Sequence, residues 1–116
     1  MTAADIPDAL RWSVSHARRT LRGQPLPILQ DALRMECERS RPRKRLQKWL
    51  ILHIDLASME IKGLSLLKKY QAAVEVFDIT KATRILKQHA RLLRKIIRIK
   101  DADFARDMRM DARSVS

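Results

Sequence analysis

Basic side chains recur on one face of the segment 81–100, and no acidic residue lies among them. The segment carries eight basic residues, whereas a solvated helix normally interleaves Glu for i, i+4 pairing. Because unpaired like charges at this spacing repel one another, a ligand that neutralises them is expected. A row of phosphates would do so and release its condensed counterions. The candidate binding residues are Lys81, Arg84, Lys87, Arg91, Arg94, Lys95 and Arg98.

A second basic cluster occupies residues 39–48, with six basic and no acidic residues. Short runs of this kind are also common as solvated connectors or localisation-like patches. Together the two segments hold all of the excess in a formal net charge of +12. The charge is therefore placed at two positions, not spread over the chain. The candidate binding residues of this cluster are Arg41, Arg43, Lys44, Arg45 and Lys48.

The charge balance and a pI of about 10.9 point to a polyanionic partner. A membrane is not expected, because the apolar face of segment 81–100 has no Trp or Phe and the core needs it. The longest apolar stretch, 49–61, is too short and too polar to span a bilayer. Few aromatic residues are present for base stacking, which favours contact with the nucleic-acid backbone. The choice between RNA and DNA stays open.

An enzyme is not expected, although one catalytic spacing occurs twice. Arg84 precedes His89, and Arg11 precedes His16, with four residues between them, as in HEPN-type ribonucleases. In so Arg-rich a chain such a match is expected by chance, and His89 lies on an apolar face. A lone Cys37, scattered His and no Gly-rich phosphate loop predict neither metal nor cofactor. A metal-independent ribonuclease remains the alternative.

The elements that must position these residues are helices, since only two Gly and four Pro interrupt the chain. Apolar spacing predicts helices over 7–23, 27–39, 43–61 and 81–100, with another over 64–77. Gly63 either ends the third helix or only weakens it. We therefore predict an all-α fold, a small antiparallel bundle of four to five helices. Residues 1–104 form its single domain and residues 105–116 a frayed or disordered tail.

Two of the predicted helices bear on the core. The third is apolar nearly all round, which predicts burial on every side at a central position or a subunit interface. The final helix is expected to bury the face opposite its charges. That face comprises Ala82, Ile85, Leu86, His89, Leu93, Ile96 and Ile97.

Three stretches carry a family resemblance: Leu67-Lys-Lys-Tyr-Gln-Ala, Ala82-Thr-Arg-Ile-Leu and Arg91-Leu-Leu-Arg-Lys-Ile-Ile. Over residues 40–100 the chain resembles the accessory variability proteins of diversity-generating retroelements and their four-helix-bundle relatives. The resemblance implies a small basic bundle that forms pentamers and helps a reverse transcriptase engage nucleic acid. Small subunits of CRISPR effector complexes are similar in architecture only.

These observations predict a non-catalytic accessory subunit of a ribonucleoprotein complex, which contacts the phosphate backbone without strong sequence preference. The partners expected are nucleic acid and a protein of the larger complex, with a homo-oligomer left open. The alternative is a helical interaction module that binds an acidic protein. A single Cys suits a reducing compartment, and the N-terminus has no secretory pattern, so a cytoplasmic location is expected.

Overall fold

The computed structural model describes the backbone of residues 1–115 and the side chains of residues 1–109. Over this range the chain is all-α, as predicted, and contains no strand. A 3-10 turn, Ala3–Asp5, precedes α1 (Ile6–Arg11), α2 (Val14–Leu21), α3 (Leu26–Cys37), α4 (Lys44–Glu75) and α5 (Ile79–Val115). Contacts divide the chain into two compact units, Met1–Ser58 and a second that begins at Met59. Each unit is described by itself.

The first unit packs α1, α2, α3 and the beginning of α4 around one apolar core. The predicted first helix over 7–23 is wrong in one respect, because it is interrupted at Trp12 and Ser13. The Ser13 hydroxyl accepts a hydrogen bond from the His16 backbone N–H at 3.2 Å and so caps α2. Gly23, at φ 75°, follows the end of α2 in the left-handed region that favours glycine. The buried core residues are Ile6, Leu10, Ala17, Leu21, Leu29, Ala32, Leu46, Trp49 and Leu50.

The second unit is a helical hairpin, formed by α4 from residue 59 onwards and by α5. Asp78 caps α5, since its Oδ1 accepts a hydrogen bond from the Lys81 backbone N–H at 3.1 Å. Lys100 Nζ and Glu60 Oε1 form an ion pair at 2.7 Å between the two helices. The buried core of this hairpin is small and comprises Leu66, Ala73, Ala82 and Ile85.

Gly63 lies inside α4 and does not end it. A Cβ atom built at Gly63 would lie 3.7 Å from Leu92 Cδ2 and 3.8 Å from His89 Nε2. The glycine is therefore buried where α5 packs against α4. The two helices that the sequence predicted over 43–61 and 64–77 are one.

The predicted third helix, 43–61, is not buried on every side within this chain, because Ile51 and Ile61 are exposed. Its burial at a subunit interface stays a prediction. Each unit buries only one stripe of α4, because a helix packed from one side leaves its other faces open. The predicted buried face of α5 is also wrong in part. Ala82, Ile85 and Ile96 are buried, but Leu86, Leu93 and Ile97 are exposed.

Residues 105–115 belong to α5. Here Arg106 Nε donates to the Ala102 carbonyl at 3.5 Å, and Arg109 Nε donates to the Ala105 carbonyl at 3.3 Å. The frayed tail over 105–116 stays a prediction, as does the single domain over 1–104, and Ser116 lies outside the described residues.

Within residues 1–115, no helix combines the length and the apolar character that spanning a bilayer requires.

Candidate nucleic-acid interface

Helix α5 carries three lengthwise stripes, as its 3.6 residues per turn dictate. The core stripe contains Ala82 and Ile85, which pack against α4. Next to it runs an exposed apolar stripe with Leu86 and Leu93. The rest of the circumference is a stripe of seven exposed side chains, here named the α5 basic stripe: Lys81, Arg84, Lys87, Arg91, Arg94, Lys95 and Arg98.

None of the seven side chains of the α5 basic stripe has a hydrogen bond or ion pair within residues 1–109. Lys100 follows the stripe on the same helix but is paired with Glu60. Within residues 1–109, no acidic side chain is therefore paired with the stripe. Its like charges repel one another at i, i+3 and i+4, and this repulsion is relieved only by counterions or an anionic ligand.

Two lysines of α4, Lys62 and Lys69, extend the basic surface beyond α5. Both are exposed and lie seven residues apart, on one side of the helix. A groove between α4 and α5 marks one side of the hairpin, and Leu64 and Leu67 are the α4 leucines that line it. Lys62 and Lys69 do not line this groove. Helical periodicity then places Lys62 and Lys69 on the side of the hairpin that carries Arg84 and Lys95.

Sequence reasoning missed Lys62 and Lys69 because their segment has nearly balanced charge. The signal that could have found them is the seven-residue spacing, since residues seven apart lie on one face of a helix. The resulting basic surface is two helices wide, and we name it the hairpin basic face. It consists of the α5 basic stripe together with Lys62 and Lys69.

The second predicted cluster is different, because Arg43 is engaged by the chain. Its Nε and Nη2 donate to the two carboxylate oxygens of Glu36, each at 3.0 Å. Nη2 also donates to the Leu10 carbonyl at 2.8 Å, and Nη1 donates to the Trp12 carbonyl at 2.6 Å. Arg39 Nη1 reaches the same Leu10 carbonyl at 2.9 Å. These contacts join the ends of α1 and α3 to the start of α4.

Arg43 is therefore removed from the set of candidate phosphate ligands. A guanidinium has five N–H donors, and those of Arg43 are directed at a carboxylate and two carbonyls. The other four candidates of this cluster have exposed side chains without such contacts: Arg41, Lys44, Arg45 and Lys48.

Glu36 is the buried acid of the first unit that Arg43 and Arg39 contact, and its side chain is 0% exposed. Burial by itself would raise the pKa of this carboxyl. The hydrogen bonds from the Arg43 side chain and backbone N–H, with the charges of Arg43 and Arg39, act in the opposite direction. Together they hold the pKa of Glu36 below its usual value, so the buried pair is ionised at neutral pH.

The two Arg–His pairs predicted from the sequence do not form a catalytic arrangement. Arg84 is exposed among the α5 basic stripe, whereas His89 is half-buried against Gly63. Arg11 ends α1, and His16 lies in α2 beyond the interruption. Within the described residues, no group of three or more His, Cys, Asp or Glu side chains could hold a metal ion. The ribonuclease alternative stays a hypothesis without support from this geometry.

Comparison of the chain with protein-family models, with curated proteins and with solved structures finds no match. The resemblance to accessory variability proteins therefore stays a prediction.

Proposed function

We propose that this protein binds nucleic acid through the hairpin basic face, by contacts to the phosphate backbone. The observation that carries the proposal is the α5 basic stripe, seven exposed cationic side chains with no partner within residues 1–109. A stripe that only keeps the chain in solution would interleave acids to lower its own repulsion. Polyanion binding accounts for their absence.

The length of the α5 basic stripe suits a run of phosphates. At about 1.5 Å per residue, the helix from Lys81 to Arg98 is roughly 25 Å long. Phosphates of one DNA strand follow each other at about 3.4 Å along the axis, so the stripe spans several of them. Since the stripe lies on one helix that packs against α4, its charges keep a fixed spacing, which lowers the entropy cost of binding.

The proposed binding is largely independent of base sequence. Stacking on single-stranded bases requires exposed aromatic rings within the binding face. The exposed aromatic residues nearest to the stripe are Phe77, in the turn of the hairpin, and Phe104, beyond its last residue. Neither belongs to the hairpin basic face, so phosphate contacts supply affinity and register without reading bases.

The biological role proposed is that of a non-catalytic accessory subunit in a cytoplasmic ribonucleoprotein complex. The unpaired side chains of the α5 basic stripe support it, and the sequence resemblance to accessory variability proteins points the same way. A protein partner in that complex is part of the proposal.

Binding measured across a salt series tests the proposal. Fluorescence anisotropy with labelled duplex DNA, duplex RNA and single strands gives the dissociation constant at each salt concentration. Seven neutralised phosphates predict a slope of log K against log salt of roughly −6 for a duplex and roughly −5 for a single strand. The variant with Arg84, Arg91 and Arg98 replaced by Gln should have a slope shallower by about 2 to 3.

Two results would contradict the proposal. An affinity that barely changes with salt would mean that phosphate contacts do not drive binding. No binding to any RNA or DNA at micromolar protein would favour the alternative, in which the hairpin basic face binds an acidic protein.

A further inference from the structure

The second unit exposes an apolar surface on one side of its hairpin. Its eight large apolar side chains are between 40% and 87% exposed. We name this surface the open apolar face. It consists of Leu64, Leu67 and Val74 of α4, Phe77 of the turn, and Ile79, Leu86, Leu93 and Ile97 of α5.

Two grooves show that these side chains share one side of the hairpin. A groove of about 450 Å³ lies between α4 and α5 and has Leu67, Leu93 and Ile97 in its walls. A second, of about 250 Å³, lies nearer the turn and is lined by Val74 and Leu86, among others. Both helices therefore contribute to a continuous apolar surface, of the size that marks interaction sites on proteins.

The open apolar face indicates a missing layer of packing. Helices in proteins owe most of their stability to burial of an apolar face against other elements. In this hairpin the buried cluster includes two alanines, Ala73 and Ala82, while larger side chains such as Leu64 and Ile79 are exposed. Much of the apolar side-chain surface of the hairpin is therefore exposed.

We propose that a second copy of this chain covers the open apolar face, so that two hairpins form a four-helix bundle. A two-fold contact places the same patch of both copies against each other, which suits a patch that is apolar from end to end. At about 200 Å² for a large apolar residue, the exposed fractions of the eight side chains amount to on the order of 900 Å². Each partner of a standard interface buries about 800 Å².

The distribution of charge favours a second copy over an acidic partner. Phosphates or carboxylates are drawn to the hairpin basic face, which lies on the other side of the hairpin. Among the charged residues at the rim of the open apolar face, Glu60 and Lys100 are paired with each other, and Lys68 is exposed beside Leu64 and Leu67. Two copies can therefore join without bringing their basic faces together, and the dimer presents one basic face on each outer side.

Molar mass in solution tests this inference, which does not rest on nucleic-acid binding. Light scattering and sedimentation at high micromolar protein should give twice the 13.5 kDa of the chain. The dimer should strengthen as salt rises, because screening weakens the repulsion between two positively charged copies. Nucleic-acid binding should weaken under the same change, so failure of one proposal is distinguishable from failure of the other.

A double variant locates the contact. Leu67→Glu with Leu93→Glu should give a monomer, because four carboxylates cannot be buried in an apolar contact. Ile61→Glu is the matched control: Ile61 is 53% exposed but lies on α4 away from the open apolar face, so the dimer should persist. If circular dichroism shows that the double variant is unfolded, Leu67→Ala with Leu93→Ala should still raise the dimer dissociation constant at least tenfold.

A wild-type monomer at high micromolar concentration would overturn the inference and leave a helix of another protein as the occupant. A dimer that both double variants leave unchanged would overturn it as well. The Arg84, Arg91 and Arg98 to Gln variant should remain dimeric, since its changes lie on the hairpin basic face.

Discussion

The two basic segments of this chain differ in whether their side chains form ion pairs within their own units. Residues 39–48 lie where α3 ends and α4 begins, and there Arg43 and Arg39 contact the buried carboxylate of Glu36. Residues 81–100 lie along one helix, where the seven side chains of the α5 basic stripe have no partner within residues 1–109. Basic residues of such a segment stabilise the fold where they form ion pairs with a buried acid, as Arg39 and Arg43 do with Glu36.

Glu36 decides this difference. A buried carboxylate without a counter-charge is strongly unfavourable, so its partner must stay in place. Within residues 1–109, the other buried acid is Asp103, which lies beyond the end of segment 81–100, and the segment itself contains no acid. Arg39 and Arg43 of the first segment therefore contribute to folding of the first unit, whereas the α5 basic stripe is available to a ligand along its whole length.

The largest expected effect is on the stability of the first unit. Arg43→Met should lower the free energy of unfolding by about 3 kcal/mol, because the buried Glu36 carboxylate loses its bidentate partner and keeps only Arg39, at 3.4 Å, as a cationic contact. Urea unfolding followed by the fluorescence of Trp49, which is buried in this core, measures the loss. Arg41→Met, at an exposed position, is the control and should change stability by less than about 0.5 kcal/mol. If the two variants lost the same free energy of unfolding, the stabilising role given to Arg43 would be wrong.

A charge-matched pair of triple variants compares the two segments as ligand-binding surfaces. Replacing Arg84, Arg91 and Arg98 by Gln should weaken nucleic-acid binding tenfold or more, since about three phosphate contacts are lost. Replacing Arg41, Arg45 and Lys48 by Gln removes the same charge from the other segment and should weaken binding less. Anisotropy titrations at one salt concentration measure both. A larger loss of affinity in the Arg41, Arg45 and Lys48 variant would show that residues 39–48, and not residues 81–100, form the main binding surface.

Lowering the pH should lower the free energy of unfolding of the first unit, because Glu36 becomes protonated. Its pKa is lower in the folded chain than the ordinary value of 4.5. The pair therefore contributes its full stability above that value and loses it as pH falls through the folded pKa. Urea unfolding of the wild type and of Glu36→Gln should differ most at pH 7, and the difference should shrink below pH 4.5. A difference that stays constant with pH would show that ionisation of Glu36 does not stabilise the fold.

The smallest effect is expected at Gly63 in the second unit. Gly63→Ala should raise the free energy of unfolding by up to about 1 kcal/mol, because alanine favours the helix interior. The new methyl group would lie 3.7 Å from Leu92 Cδ2, an ordinary van der Waals contact. Gly63→Leu is the contrast and should destabilise, since Leu92 and His89 fill the space that its larger side chain needs. Thermal unfolding by circular dichroism measures both, and a loss for Gly63→Ala would contradict the packing described.

Features that depend on neighbours within a few residues were predictable from the sequence. The all-α class, α3, the end of α2 at Gly23 and the acid-free charge of α5 all follow from helix propensity, glycine chemistry and the 3.6-residue period. The interruption at Trp12 and Ser13 was also encoded locally, in a Ser able to cap α2, but it was missed because the apolar spacing runs through it.

Only the tertiary structure decided the roles of Arg43, Gly63 and the exposed apolar residues. Arg43 contacts the Leu10 carbonyl, 33 residues away, and Gly63 meets His89 and Leu92 of another helix. Leu86 and Leu93 have the same side-chain chemistry and spacing as buried residues, yet they are exposed. Periodicity fixes which residues share a face of a helix, but which of those faces is covered depends on the packing of segments that are distant in sequence.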